Sequence, residues 1–154
     1  MAKLRTLVLV LGDQLDLASV LPVDFDPQQD GIWMAESAQE AARVWSHKAR
    51  IVLFVSAMRH FARQLESDGW QVHYQTYHPD NEHQSLEAEV GKQVERIKAE
   101  KIITTECGEW RLHDQISGWH ARLGVPAEIR PDTRCIATKP EFTHSVEGRS
   151  HVRP

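Results

Sequence analysis

The sequence predicts an α/β domain: a Rossmann-like, doubly wound five-stranded parallel sheet with helices on both faces. Short apolar runs alternate along the chain with segments of helical periodicity, and this alternation is typical of parallel strands joined by right-handed crossovers. The first run is apolar at nearly every position, as expected for a strand buried on both faces. The length of 154 residues and the 41% hydrophobic content fit one globular domain.

Five apolar runs are predicted to be strands. The first, Leu4 to Leu11, is rich in Leu and Val and stops at Gly12, and we expect it to be the central strand. The second follows the polar turn Pro27 to Gly31, and the third follows a helix stop at Asp68-Gly69. The second to fifth strands are predicted at Ile32 to Ala35, Trp70 to Tyr77, Lys101 to Thr105, and Ala127 to Ile129.

Two segments between these runs place apolar residues on one helical face, and a helix is predicted over Ser85 to Glu100 and over Leu112 to Leu123. The segment before the third strand is ambiguous, because Ile51 to Val55 has the β-branched content of a strand. No Gly, Pro, Asn or Asp interrupts the segment, however, and its apolar residues recur at helical spacing. We therefore predict one helix over Ser46 to Ser67, with Ser46 as its N-cap.

Composition limits the classes of function. The apolar runs are far shorter than the roughly 20 residues that span a bilayer, and no signal-peptide pattern opens the chain, so a cytoplasmic protein is expected. Cys107 and Cys135 form no CxxC motif and are expected to be free thiols. The net charge of −4 disfavours direct contact of this chain with nucleic acid.

Polar clusters follow the predicted strands. In an open parallel sheet, ligands bind outside the carboxyl ends of the strands. Neither a GxGxxG nor a GxxxxGK[ST] motif occurs, and the clusters are acidic. Carboxylates favour a neutral, planar ligand whose edge donates hydrogen bonds, and aromatic side chains can supply its flat walls. The residues concerned are Asp13 and Gln14, Glu36 and Glu40, Glu106 to Arg111 with Trp110, and the apolar face around Phe54 and Met58.

Ordinary structural roles are open for the same residues. Asp13 can cap a turn or a following helix, Glu36 and Glu40 can lie on a solvated surface, and Trp110 can belong to the core. The nine histidines form no HExxH motif or comparable cluster, so no metal site is predicted. A serine hydrolase would need a GxSxG elbow, which the sequence lacks.

Three motifs in order carry a family resemblance: LVLVLGDQLD at 7–16, HK with SAMRHFARQL between 47 and 65, and ECGEWR at 106–111. Together they resemble the photolyase-related family. They look most like the N-terminal domain of bacterial (6-4) photolyases, the iron–sulfur branch of the photolyase and cryptochrome superfamily. The resemblance runs from about residue 5 to the end of the chain.

The resemblance implies that residues 1–131 form a Rossmann-like domain that binds an antenna chromophore, a ribityl lumazine. It places the catalytic FAD and an iron–sulfur cluster in a following helical domain, which this chain lacks. That domain would be the partner of this one, and DNA would be bound only through the parent protein. Residues 132–154 are expected to form an arm that leads there, since Glu147 to Pro154 is similar to the family's bridge.

The resemblance also marks the expected neighbours of the chromophore: Asp13, Gln14, Glu36, Glu40, Phe54, Glu109 and Trp110. Two departures leave the chromophore's identity open, namely Cys107 where the family usually has proline and the divergent segment 38–45. The expected function is that of an antenna domain in light-driven DNA repair or light sensing, without catalysis by this chain alone. The alternatives are a stand-alone small-molecule or flavin-binding module and a purely structural domain.

Overall fold

The computed structural model describes residues 3–37, 47–81 and 85–147. Its strands form a single sheet in which every neighbouring pair is parallel, in the order β3-β2-β1-β4-β5. The predicted Rossmann-like architecture and the central position of the first strand are confirmed. The strands are β1 (Thr6–Leu9), β2 (Asp30–Ala35), β3 (Val72–Gln75), β4 (Lys101–Thr105) and β5 (Ala127–Arg130).

Helices cover both faces of this sheet, and the described helices are α1 (Leu17–Val20), α2 (Lys48–Ser67), α3 (Leu86–Ile97), α4 (Trp110–Ser117), α5 (Trp119–Leu123) and α6 (Lys139–Val146). Successive residues of β1 point to opposite faces. Leu7 and Leu9 pack with α3, α4 and α5, whereas Val8 and Val10 pack with α1 and α2. The sheet therefore separates two apolar cores.

The second strand begins two residues earlier than the sequence predicts, so the assignment of Asp30 and Gly31 to a turn was wrong. Asp30 is buried, and its carboxylate accepts hydrogen bonds from Arg5 Nε at 3.0 Å and Arg5 Nη2 at 2.5 Å. A Cβ added to Gly31 would lie 2.6 Å from Leu4 Cδ1. A buried ion pair and a close side-chain approach thus give strand geometry to residues with turn-like composition.

The described part of the ambiguous segment contains one uninterrupted helix, Lys48–Ser67, as predicted. Its N-cap is His47, whose Nδ1 accepts a hydrogen bond from the Ala49 N–H at 3.2 Å, while the predicted cap, Ser46, lies outside the described residues. Burial along α2 is uneven, because only its second half contributes fully buried residues and Val52 and Leu53 are exposed. The first half of α2 therefore stands clear of the core near the carboxyl ends of the strands.

Other boundaries differ from the predictions. β1 and β3 are shorter, β5 extends by one residue, and α3 ends at Ile97 because Lys98 takes a left-handed conformation with φ 53°. The helix predicted over Leu112 to Leu123 is two helices separated at Gly118, where the Arg122 guanidinium occupies the place a Cβ would take. The sequence reading missed α1, which is capped by Asp16 rather than Asp13, and α6 in the arm, where Thr138 and Glu141 form a capping box.

Within the three described ranges, no helix is long and apolar enough to cross a membrane. Among those residues, no group of three or more His, Cys, Asp or Glu side chains is arranged to hold a metal ion. Cys107 is buried and Cys135 is exposed, and both are free thiols.

Candidate functional site

The carboxyl ends of β1 and β4 lie side by side at the centre of the sheet. The chain leaves β1 toward α1 on one face and leaves β4 toward α4 on the other. The strand order reverses at this point, which in open α/β sheets is where ligands bind. The loops after β1 and β4 are therefore the candidate functional site.

An apolar wall lies against the loop that follows β1. A Cβ added to Gly12 would lie 3.1 Å from Met58 Sδ and 3.7 Å from Phe54 Cδ1. Gly12 thus allows the loop to approach α2 closely. The Phe54 ring is 38% exposed, with the Arg50 guanidinium 5.5 Å from its centroid, and the neighbouring Asp13 is exposed. This wall offers an aromatic face beside a carboxylate.

Gln14 joins the two loops from inside. Its side chain is 0% exposed, and its Nε2 donates to the carbonyl oxygens of Thr105 at 2.9 Å and Glu106 at 3.3 Å. Its Oε1 accepts from the Leu11 N–H at 3.3 Å. Both amide hydrogens of Gln14 are used within the protein. Gln14 therefore fixes the geometry of the point where the strand order reverses, and it has no hydrogen left to donate to a ligand.

Glu36, at the end of β2, is 8% exposed and accepts four hydrogen bonds. Its Oε1 accepts from Arg59 Nε at 2.6 Å and the Tyr74 hydroxyl at 2.8 Å, and its Oε2 accepts from Arg59 Nη2 at 2.8 Å and the Tyr77 N–H at 2.9 Å. Burial raises the pKa of this carboxyl, but the hydrogen bonds and the Arg59 charge outweigh burial and hold the pKa below its ordinary value. This carboxylate fastens β2 to α2 and β3.

Glu109 and Trp110 begin α4. Glu109 occupies the N-cap position without a side-chain capping bond, and its Oε1 accepts from Arg111 Nε at 2.7 Å. Trp110 is 74% exposed and stacks on His113 with ring centroids 5.8 Å apart. Its exposure excludes the core alternative, so the indole is an exposed aromatic group next to the point where the strand order reverses.

The arm crosses the same edge of the sheet. Arg134 Nη1 donates to the Asp13 carbonyl oxygen at 2.7 Å, and its guanidinium pairs with Asp132 at 2.7 Å. Lys139 forms an ion pair with Glu106, which follows β4. Sequence reasoning missed Arg134 and Lys139, since nothing in an aperiodic basic segment signals which carbonyl or carboxylate it will meet.

The structure gathers Asp13, Gln14 and Phe54 around Gly12, and Gln14 connects them to the loop that carries Glu109 and Trp110. Glu36 belongs to the adjacent β2 end, where its polar atoms are occupied by Arg59 and its other partners. Glu40 lies outside the described residues. The arrangement can hold a flat molecule against Phe54 and orient its edge through exposed carboxylates.

Comparison with known proteins decides the family. The family model described as deoxyribodipyrimidine photo-lyase-related protein matches residues 8–154. The chain belongs to this family. The photolyase-related chain is also 35% identical over 146 residues to a (6-4) photolyase from Agrobacterium fabrum (strain C58 / ATCC 33970). That alignment covers 95% of this chain and 29% of the relative, so the chain spans less than a third of the relative's length.

The family match confirms the resemblance drawn from the three motifs. It covers the loops after β1, β2 and β4 and the arm of the photolyase-related chain.

Proposed function

We propose that this chain is the antenna-chromophore domain of a photolyase- or cryptochrome-like flavoprotein, which serves light-driven DNA repair or light sensing. It would absorb a photon through a bound ribityl lumazine and pass the excitation to FAD held by another domain. The observation that carries the proposal is the half-exposed Phe54 ring, which lies with Met58 against Gly12 beside the exposed Asp13. This is the apolar wall with a polar rim that a planar, hydroxyl-rich ligand requires.

The candidate residues divide into two roles under this proposal. Phe54 and Trp110 would pack against the ring, and the exposed carboxylates of Asp13 and Glu109 would accept hydrogen bonds from its polar edge and ribityl hydroxyls. Gln14 and Glu36 would hold the walls in place, because their polar atoms are already engaged within the protein. Glu40 stays a candidate on the sequence alone, from its place after the second strand and from the resemblance.

The other cofactors that the resemblance implies belong elsewhere in the parent protein. An iron–sulfur cluster usually takes four Cys thiolates, whereas this sequence has 2 cysteines, Cys107 and Cys135. The donor set therefore does not fit a cluster held by this chain alone. We assign the cluster and FAD to a helical partner domain and DNA contact to the parent protein. Cytoplasmic location stays a prediction, as does the division at residue 131.

A fluorescence titration with a ribityl lumazine tests the proposal. The Phe54→Trp variant places a larger ring in the wall and is expected to weaken binding about 5- to 150-fold, since overpacking a fitted site costs roughly 1–3 kcal/mol. Leu53→Trp is the matched control, because Leu53 is the exposed neighbour of Phe54 on the same helix. Equal affinity of the Phe54→Trp variant and the unmodified protein would contradict the assigned wall.

A purely structural domain is the second candidate. It is favoured by the internal saturation of Gln14 and Glu36, which needs no ligand to explain their burial. This alternative predicts a folded chain that shows no saturable binding, and a full-length parent whose chromophore content is unchanged by Phe54→Trp. The antenna proposal predicts loss of the chromophore from that same parent variant.

A further inference from the structure

A second concave surface lies between the edge strand β3 and helix α3, which we call the β3–α3 groove. It has a volume of about 440 Å³ and is lined by residues of β3, of the loop that follows it and of α3. Tyr74 packs against the core shared with α2, so its neighbours His73 and Gln75, which line the groove, point to the opposite face of the sheet. The groove therefore opens on the face of the sheet opposite to α2 and Phe54.

The floor of the groove holds buried polar atoms that lack partners. Glu89 and Gln93 are 3% and 7% exposed. Glu89 Oε1 accepts from Gln75 Nε2 at 3.1 Å, but Glu89 Oε2, Gln93 Nε2 and His73 Nε2 have no hydrogen-bond partner within the described residues. More than nine in ten buried polar groups in proteins are satisfied. Three such atoms in one groove indicate a partner from outside this part of the chain.

These atoms define what the partner must offer. Glu89 Oε2 accepts hydrogen bonds when ionised, the Gln93 amide donates them, and a neutral imidazole can do either. Burial, with the nearby Arg96 charge, lowers the pKa of His73, which favours its neutral form. A complementary ligand therefore carries a donor and an acceptor side by side on one edge, as nucleobases do.

The rim of the groove is cationic. Lys92 and Arg96 are exposed, line the groove and follow Glu89 along α3 at positions i+3 and i+7. Their charges stand out on a chain whose net charge is −4. A lysine and an arginine at the mouth of a polar groove favour an anionic group such as a phosphate.

We propose that the β3–α3 groove binds a small heterocyclic anion of the class of nucleoside monophosphates. The base edge meets Glu89, Gln93 and His73, and the phosphate meets Lys92 and Arg96. The volume of the groove falls within the roughly 300–1,000 Å³ of small-molecule sites. Glycine-rich phosphate motifs are not required, because side-chain cations hold the phosphate here in place of backbone N–H groups. This site is independent of the antenna proposal.

Calorimetric titration of the purified chain tests the proposal with AMP, GMP, adenosine and inorganic phosphate as probes. We expect saturable binding of AMP or GMP that is tighter than that of adenosine or phosphate. Glu89→Gln removes an acceptor at the base edge and should weaken that binding at least about fivefold. Glu95→Gln, an exposed change on the same helix, should leave it unchanged.

Arg96→Gln gives a second reading that does not depend on the buried floor, because Arg96 is exposed. It should weaken nucleotide binding about tenfold while adenosine binding stays as it was. Equal affinities of the Glu89→Gln and Glu95→Gln variants would overturn the proposal, as would the absence of saturable binding up to about 10 mM. Phosphate that binds as tightly as AMP would overturn the heterocyclic assignment.

Discussion

Glu36 and Glu89 are both buried glutamates, and the protein treats them in opposite ways. Glu36 accepts four hydrogen bonds from Arg59, Tyr74 and the Tyr77 backbone, and its pKa lies below the ordinary value. Glu89 accepts one bond from Gln75, has one oxygen without a described partner, and has a pKa raised by burial. Burial alone therefore does not distinguish a carboxylate that is fully bonded within the protein from one that can still bind a ligand. The number of hydrogen bonds that the carboxylate accepts does distinguish them.

The difference also separates two regions. At the end of β2, the hydrogen bonds of the Glu36 carboxylate connect β2 to α2, to β3 and to the loop that follows β3. Glu36 therefore stabilises the helix that carries Phe54. In the β3–α3 groove the carboxylate is a cost to the folded state unless something from outside meets it.

The largest effect is expected for Glu36→Gln, which leaves Arg59 without its counter-charge. Removing one partner of a buried pair costs about 3–5 kcal/mol, and we expect about 2 kcal/mol because Arg59 is half-exposed. Urea unfolding at neutral pH measures the loss. The folded-state pKa of Glu36 is below its ordinary 4.5, so its stabilisation is present above that value and lost as pH falls through the folded pKa. If the difference in unfolding free energy between Glu36→Gln and the unmodified protein stayed constant from neutral to acid pH, this assignment would be contradicted.

Arg59→Lys should give a smaller loss than Glu36→Gln, since the charge remains and the two-pronged hydrogen bond does not. The pKa of Glu36 should rise toward its ordinary value, which NMR titration of the carboxyl resonance would detect. Arg63→Lys, at an exposed position one turn further along α2, is the control and should leave that titration unchanged. A Glu36 pKa unaffected by Arg59→Lys would show that the neutral donors alone hold it.

Glu89→Gln should leave stability unchanged or raise it by up to about 1 kcal/mol at neutral pH, the opposite sign from Glu36→Gln. The folded-state pKa of Glu89 is above its ordinary 4.5, so the folded state loses stability as pH rises from 4.5 through the raised pKa. The other charged and titratable residues that line the groove are His73, Tyr74, His78, Lys92 and Arg96. Thermal unfolding should show that Glu89→Gln is more stable than the unmodified protein above pH 4.5 and equally stable below it. A variant that is less stable at neutral pH would contradict the contrast drawn between Glu89 and Glu36.

Gln75→Met should have the smallest effect, about 0.5 kcal/mol, because it removes a single hydrogen bond to Glu89. The pKa of Glu89 should rise further, which NMR titration can follow, and the Glu36 titration should not change. A fall in the Glu89 pKa would mean that the groove rearranges to supply another donor.

The sequence predicted the structure best for a strand that is buried along nearly its whole length and for a helix that contains no breaking residue. β4 has the predicted bounds because Lys101 to Thr105 is buried along nearly its whole length. α2 is one helix because no breaker divides it. The polar Asp30 and Gly31 could not be predicted as strand, since the Arg5 side chain that satisfies Asp30 and the Leu4 side chain that needs Gly31 meet them only in three dimensions.

The location of the candidate site could be predicted from the sequence, whereas the hydrogen bonds of its side chains could not. Parallel topology fixes where the loops after β1, β2 and β4 must gather, and Asp13, Gln14 and Trp110 lie there. The hydrogen bonds that occupy Glu36 come from Arg59 and Tyr74, which are distant in sequence, so no local pattern could reveal them. The unpartnered atoms of Glu89 and Gln93 are likewise visible only once α3 and β3 are placed together.

The register of β1 has a consequence for synthesis on the ribosome. β1 pairs Thr6 with Asp30 on one side and Thr6 with Lys101 on the other. At roughly 5–20 residues per second, on the order of several seconds separate the emergence of β2 from that of β4. During that interval the edge of β1 that pairs with β4 has no partner strand. At this stage a nascent chain of this kind is most exposed to chaperone binding and to aggregation.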